Sequence, residues 1–396
     1  MRVLYVQYTN PGMYPPLVRG AQLLAESGAE VLMLGTRVHG LDVLSVDSDD
    51  GLRVELLPAA PEGWRLKAHY ARYAAWVARE GAAWRPDWIY ASDALAAPIA
   101  LMLRAMTGAR VVYHEHDAPS RENRSWMMRR CLGARRRLAR EADLVVAPNE
   151  QRARRLSGTV AGGRPVLTVW NCPRRPERVT RRDADSARDR LRIVFRGSIN
   201  AERIPATVIH AMAAARVNSA LEIAGYETIG SRGYVRDLLE LAARLGVRER
   251  VRYLGTVAPE ALADVCLQGD VGLAFMPVQS VDENMQHMVG ASNKVFEYLS
   301  FGVAPLVTDL PDWRATFVDP GFAFACRPDN VASMQQAFEW AAGHPGELRA
   351  IAERGMTRLL ETWNYETQFA PVLQAMRSTA VSARATLGGR NARCAS

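Results

Sequence analysis

The run Gly290-Ala291-Ser292-Asn293-Lys294-Val295-Phe296-Glu297-Tyr298-Leu299-Ser300-Phe301-Gly302 sets one lysine and one carboxylate a helical turn apart behind a short polar turn. Of the 50 basic residues only Lys67 and Lys294 are lysine, so a merely basic position in this chain would carry arginine. Ser292 or Asn293 suits an N-cap, and the turn predicts a helix that opens at Lys294. Free N–H groups and the helix dipole favour an anion at that end. With the Lys294 ammonium and a Glu297 carboxylate that accepts from sugar hydroxyls, the segment suits a sugar nucleotide. The plainer reading is a capped surface helix whose Lys294–Glu297 pair contributes ~0.2–0.5 kcal/mol.

A second constellation is His114-Glu115-His116-Asp117, four polar groups directly after the apolar run Arg110–Tyr113. Such a cluster is costly inside a core and natural where a strand ends at a ligand. His116 suits hydrogen-bonding or polarising hydroxyls, whereas two histidines alone make a poor metal site. Further candidates sit where apolar runs end: Gly12 in Asn10-Pro11-Gly12, Gly197-Ser198, Gly225-Tyr226 and Pro277-Val278. Arg203 follows Gly197 by six positions, and Arg19 is a weaker candidate for an anionic ligand. Serine-nucleophile and dinucleotide fingerprints (Gly-x-Ser-x-Gly, and Gly-x-Gly-x-x-Gly after the first strand) are absent.

The elements that must position these groups come from alternation. Short apolar runs alternate with helical segments over most of the 396 residues, which implies parallel sheets covered by helices on both faces. The length suits two domains. The alternation breaks at Asn171–Arg190, a charged stretch with two prolines, and then restarts. We therefore expect a first domain over 1–170, a linker over 171–190, a second domain over 191–362, a helix over 363–378 and a flexible tail over 379–396. In such sheets ligands bind beyond the carboxyl ends of the strands, so two domains facing each other would enclose a cleft.

Net charge is +8, and Arg121–Arg140 holds eight arginines against one acid, Glu122. A solvated helix face explains this; a membrane surface ranks next, above nucleic acid, because Trp126 is the one aromatic residue there. No run of apolar residues is long enough to span a bilayer, and Met1–Tyr8 is too quickly polar for a signal peptide. Five scattered cysteines without Cys-x-x-Cys suit a reducing compartment, and the cytoplasm is expected.

The lysine segment resembles the Asn-Lys-x-x-Glu-Tyr stretch of the GT-B glycosyltransferases, specifically glycosyltransferase family 4. Gly197-Ser198-Ile199-Asn200-Ala201-Glu202-Arg203 resembles that family's phosphate loop, and Trp363-Asn364-Tyr365-Glu366 the point where its last helix crosses back to the first domain. The resemblance covers roughly residues 1–378. It implies two doubly wound Rossmann-like domains around a central cleft and retaining, metal-independent transfer of a sugar from a UDP- or GDP-linked donor to an acceptor hydroxyl, without a cofactor. It further implies that Gly197, Ser198, Arg203, Gly225, Tyr226, Ser292, Asn293, Lys294 and Glu297 hold the donor. Lys294 and Arg203 would act on its diphosphate, His116 on the reacting sugar's hydroxyls, and Gly12 at the sugar-side loop. Departures are Val289, where many relatives carry a first acid eight residues before Glu297, and Ser198, where many carry arginine. Glu283, Asn284 or His287 would then have to supply the donor-sugar contact. Two other readings compete: a non-hydrolysing sugar-nucleotide 2-epimerase, and a non-catalytic binding protein that uses the 121–140 helix.

Overall fold

The computed structural model describes residues 1–41, 44, 46–59, 61, 63–119, 125–176 and 190–391. Two compact units emerge, Met1–Asn171 together with the chain from Tyr365 onward, and Cys172–Asn364.

In the first unit the apolar runs become β1 (Arg2–Val6), β2 (Glu30–Thr36), β3 (Leu52–Leu57), β4 (Trp88–Ser92), β5 (Arg110–His114), β6 (Leu144–Ala147) and the two-residue β7 (Leu167–Thr168). Between them lie α1 (Pro15–Glu26), α2 (Arg65–Trp84), α3 (Asp93–Thr107), α4 (Trp126–Glu141) and α5 (Glu150–Thr159). The strands pair in the order β3-β2-β1-β4-β5-β6-β7, every pair parallel. Val3 to Val6 are fully buried, as expected of a strand covered on both faces. The strand order reverses between β1 and β4, which marks the place where loops splay apart and ligands bind.

The second unit repeats the plan. Its strands are β8 (Leu191–Ile199), β9 (Ser219–Glu227), β10 (Val251–Gly255), β11 (Val271–Ala274), β12 (Ala304–Thr308) and β13 (Phe324–Cys326), in the parallel order β10-β9-β8-β11-β12-β13. Helices α6 (Thr207–Ala214), α7 (Tyr234–Arg244), α8 (Pro259–Gln268), α9 (Glu283–Gln286), α10 (Lys294–Ser300), α11 (Pro311–Trp313), α12 (Val331–Gly343) and α13 (Pro345–Glu361) connect or cover them. Ile193, Phe195, Leu221, Ile223, Leu273 and Leu306 form the centre of one buried core. Here the order reverses between β8 and β11. The last helix, α14 (Tyr365–Asn391), belongs to the first unit: Tyr365, Phe369, Val372 and Met376 join Val3, Tyr5, Trp88 and Tyr90 in its core.

Several boundaries differ from expectation. Gly197-Ser198 and Gly225-Tyr226 were expected in loops but lie on β8 and β9, directly paired with each other, because glycine facing glycine lets the two strands continue side by side. After β8 a turn precedes α6, and α14 begins at Tyr365 rather than 363 and runs to Asn391, into the stretch expected as a flexible tail. The first residues of the expected 121–140 helix, 121–124, and most of the expected linker, 177–189, lie outside the described residues.

Candidate functional site

In the second unit the site is built around the β8–β9 glycine pair. A Cβ on Gly225 would stand 1.9 Å from the Gly197 carbonyl oxygen, and one on Gly197, whose φ is +103°, would stand 2.7 Å from Lys294 Nζ. These two glycines leave room for the lysine to reach under the strand ends. Lys294 is 4% exposed, and its Nζ donates to the Arg196 carbonyl at 2.7 Å. Burial pushes its pKa well below the usual lysine value, and the nearby charges of Arg203 and then Arg196 push it further the same way.

Glu297, equally buried, does not pair with Lys294. It forms an ion pair with the Arg196 guanidinium and accepts at 3.1 Å from the Asn293 amide. That overturns the surface-pair reading of Lys294 and Glu297. It also corrects the capping expectation: Asn293 is helical, makes no side-chain cap bond and spends its amide on Glu297. Ser292 is buried, its N–H bonded to the Met288 carbonyl. Arg203 sits in the turn after β8, its N–H bonded to Asn200 Oδ1 at 2.9 Å. Tyr226 is half-buried; burial raises its hydroxyl pKa while the Arg203 charge opposes that rise. Ser198 is half-buried on β8, opposite Tyr226. Arg196, Arg203 and Lys294 thus gather at a strand end beside Glu297, an arrangement that suits a multiply charged anion.

Beside this cluster, at the β8/β11 reversal, lies a cavity of about 430 Å³, a volume usual for small-molecule sites. Glu202, Pro205, Met276, Pro277, Arg327 and Asp329 are among its lining residues, and of the sequence candidates only Pro277 and Val278 reach it. Val289 is buried, and α9 places Glu283 and Asn284 on the intervening segment just before His287.

The first unit presents a different chemistry at the end of β5. His114 closes the strand, fully buried, with Nδ1 2.7 Å from the Tyr90 hydroxyl. The His116 ring stacks over it at 3.8 Å between centroids and faces Tyr14 at 5.7 Å. Neither ring nitrogen of His116 has a hydrogen-bond partner among the described residues. Burial lowers the His116 pKa from 6.5 to about 4, Arg152 adding to the shift and Asp117 opposing it. His114 is lowered as well, by burial and by His116. Glu115 takes no part in this surface. It is held by Arg135 through Nε at 2.5 Å and Nη2 at 2.6 Å, and by the Tyr113 hydroxyl at 2.6 Å. The four-residue polar cluster therefore divides, with Glu115 anchoring α4. Gly12 has a backbone reason of its own, since a Cβ there would collide with the Leu44 carbonyl at 1.6 Å.

Sequence reasoning missed Arg196, Asp93 and Arg152. Arg196 stands two residues before Ser198 on one strand, so the period-2 rule could have set both on one face. Asp93 carried no sequence signal: it follows β4 directly, opens α3 and is one of two non-glycine residues among those described with positive φ, at +62°. Two Asp-x-Asp triplets exist, Asp47-Ser48-Asp49 and Asp183-Ala184-Asp185. The first is exposed just before β3, at the edge opposite the strand ends, and the second lies outside the described residues.

Residues 17–172 match the family model of a glycosyl transferase 4-like domain, and residues 203–374 that of a glycosyl transferase-like domain. No curated protein matches the chain in sequence. Among solved structures, HepE from Anabaena in complex with UDP-glucose shares 16% identity over 96% of this chain and 100% of its own, with a TM-score of 0.72. Sucrose-phosphate synthase from Thermosynechococcus elongatus shares 14% over 96% and 100%, with a TM-score of 0.71. A UDP-forming α,α-trehalose-phosphate synthase from Burkholderia vietnamiensis shares 14% over 97% and 98%, with a TM-score of 0.65. These identities speak for the fold, two parallel sheets with reversed strand order. With a glycosyltransferase model matched to each half of the sequence, the chain belongs to the GT-B glycosyltransferases and is itself a glycosyltransferase.

Proposed function

We propose that this enzyme is retaining and metal-independent, and that it moves a hexosyl group from a UDP- or GDP-sugar to an acceptor hydroxyl. The observation that carries the reading is the meeting of Arg196, Arg203 and the buried Lys294 at one strand end, beside the Glu297 carboxylate that pairs with Arg196. As the bond from the sugar's C1 to the diphosphate oxygen breaks, negative charge grows on the leaving group, and preorganised cations stabilise it where it develops. The diphosphate in turn offsets the repulsion among the three cations and favours the protonated Lys294. The acceptor hydroxyl adds to C1 from the face the diphosphate leaves, and its proton passes to the departing phosphate oxygen. Glu297, fixed by Arg196 and Asn293, takes the ribose hydroxyls; His116, neutral at pH 7, takes sugar hydroxyls. The complexes of HepE with UDP and UDP-glucose support a uridine donor first. Incubation with a panel of UDP- and GDP-sugars should release nucleotide with one of them. Binding to none would overturn the proposal, and a C2-epimerised nucleotide sugar formed without acceptor would replace transfer by epimerisation.

The same proposal includes a peripheral contact with an anionic membrane surface at the cytoplasmic face. Along α4, Arg129, Arg130, Arg136, Arg137 and Arg140 are exposed at helical spacing, with Trp126 57% exposed and Arg130 over its ring at 4.4 Å. No helix among the described residues is long and apolar enough to cross a membrane. Sedimentation with vesicles should require anionic lipid and weaken with salt; equal binding to neutral vesicles would remove the charge argument.

A further inference from the structure

The imidazole of His116 is held among the described residues only by its ring contacts with His114 and Tyr14, without a hydrogen bond, yet its main chain is gripped on both sides. The Asp93 carboxylate accepts from the His116 N–H at 2.8 Å and from the Asp117 N–H at 3.3 Å. From α5 the buried Arg152 guanidinium donates to the His116 carbonyl at 2.7 Å and to Asp117 Oδ1 at 3.1 Å. Fixing the N–H and C=O of one residue fixes its φ and ψ, and with them the direction of its Cα–Cβ bond.

Asp93 occupies a left-handed conformation that a non-glycine residue adopts at a cost, and such strain persists where surroundings over-determine it. Asp is among the few residues whose short polar side chain bonds locally enough to hold that conformation. Its carboxylate, placed by that backbone, meets the β5 loop from the adjacent strand; Ser92 and His114 are direct partners in the β4–β5 pairing. Arg152 is placed by Asn149, whose side chain caps α5.

We propose that Asp93 and Arg152 are positioning residues that aim the His116 imidazole through its main chain, an inference that rests on the role given to His116 above. Both act through the His116 main chain and not on the reacting atoms. The expected signature is a change in His116 itself, with little change in donor binding.

The test uses the full chain with ¹³C-labelled histidine and UDP-glucose as probe. Asp93→Gly relieves the left-handed backbone but removes the carboxylate, whereas Asp93→Asn keeps both an acceptor oxygen and tolerance of that backbone. Glycine should split or broaden the His116 imidazole signals and lower kcat for nucleotide release about 10–100-fold, with KM within about twofold. Asparagine should restore both, and Arg152→Gln should resemble the glycine variant. Unchanged His116 signals in Asp93→Gly, with thermal stability retained, would overturn the inference. If His116→Ala leaves turnover untouched, the role of His116 fails instead; the imidazole spectrum still decides whether Asp93 positions it. Should Arg152→Gln fail to fold, Asp93→Gly against Asp93→Asn remains sufficient.

Discussion

The strand ends of the two units share one architecture and invert each other's electrostatics. Around β5 the buried Glu115 is matched by Arg135 and the exposed Asp117 accepts from Arg152, while burial holds Asp93 and the two imidazoles toward their neutral forms. Around β8 like charges crowd together: burial and the charges of Arg203 and Arg196 disfavour Lys294 as a cation, while Glu297 pairs with Arg196. A paired buried charge contributes to the fold, whereas a buried cation crowded by like charges costs stability until an anion arrives. Fold alone does not set the chemistry of a doubly wound sheet; the charged residues gathered at its strand ends do.

The largest test of this contrast removes one cation from each region. Arg135→Met leaves Glu115 buried without its bidentate partner, and breaking such a pair typically costs about 3–5 kcal/mol. Urea unfolding should show that loss as a lower midpoint at unchanged slope. A loss under about 1 kcal/mol would mean that Glu115 reaches water and that the first region is not paired as described.

Lys294→Met should do the opposite. It deletes a buried charge whose neighbours repel it, so unfolding stability should hold or rise by about 1 kcal/mol, as when buried ions are replaced by apolar side chains. Turnover should fall about 10²–10³-fold, the usual effect of losing one preorganised charge-stabilising donor. Stability and nucleotide release, measured on the same preparation, should therefore move apart. If both fell together, Lys294 would be a structural residue and the second region would lose its distinction from the first.

The sequence made these regions legible to different degrees. The alternation of apolar runs announced both sheets, because strands covered on both faces are dominated by apolar residues. Lys294 stood out because an arginine-rich chain used lysine there. What stayed hidden depends on contacts distant in sequence. Arg196 and Glu297 are about a hundred positions apart, and Asp93 meets His116 only because β4 and β5 are adjacent. The polar run His114–Asp117 read as one unit, yet the structure sends Glu115 to α4 and stacks His116 on His114. Local pattern marks which residues crowd a strand end; it does not say which of them will be used up by partners from elsewhere.

The smallest expected effect is on pH dependence, and its sign follows from the same contrast. His116 titrates near 4 in the folded protein and near 6.5 when unfolded, so the unfolded chain binds the extra proton first. Its contribution to stability is thus fully present above about 6.5 and is lost as pH falls toward 4. Integrated over that window the loss approaches about 3 kcal/mol, an upper figure because loosening of the loop would relieve part of it. Asp93 works in the other direction: burial and the charge of Asp117 raise its pKa, so acid favours the folded form at that group. The informative quantity is therefore the difference in unfolding free energy between the wild type and His116→Gln, followed from pH 7.5 to 4. That difference should shift steadily in favour of the variant as the pH drops, with His114 leaving a residual slope in both proteins. A flat difference would show that His116 is hydrated and charged in the native state, and the neutral character assigned to the first region would go with it.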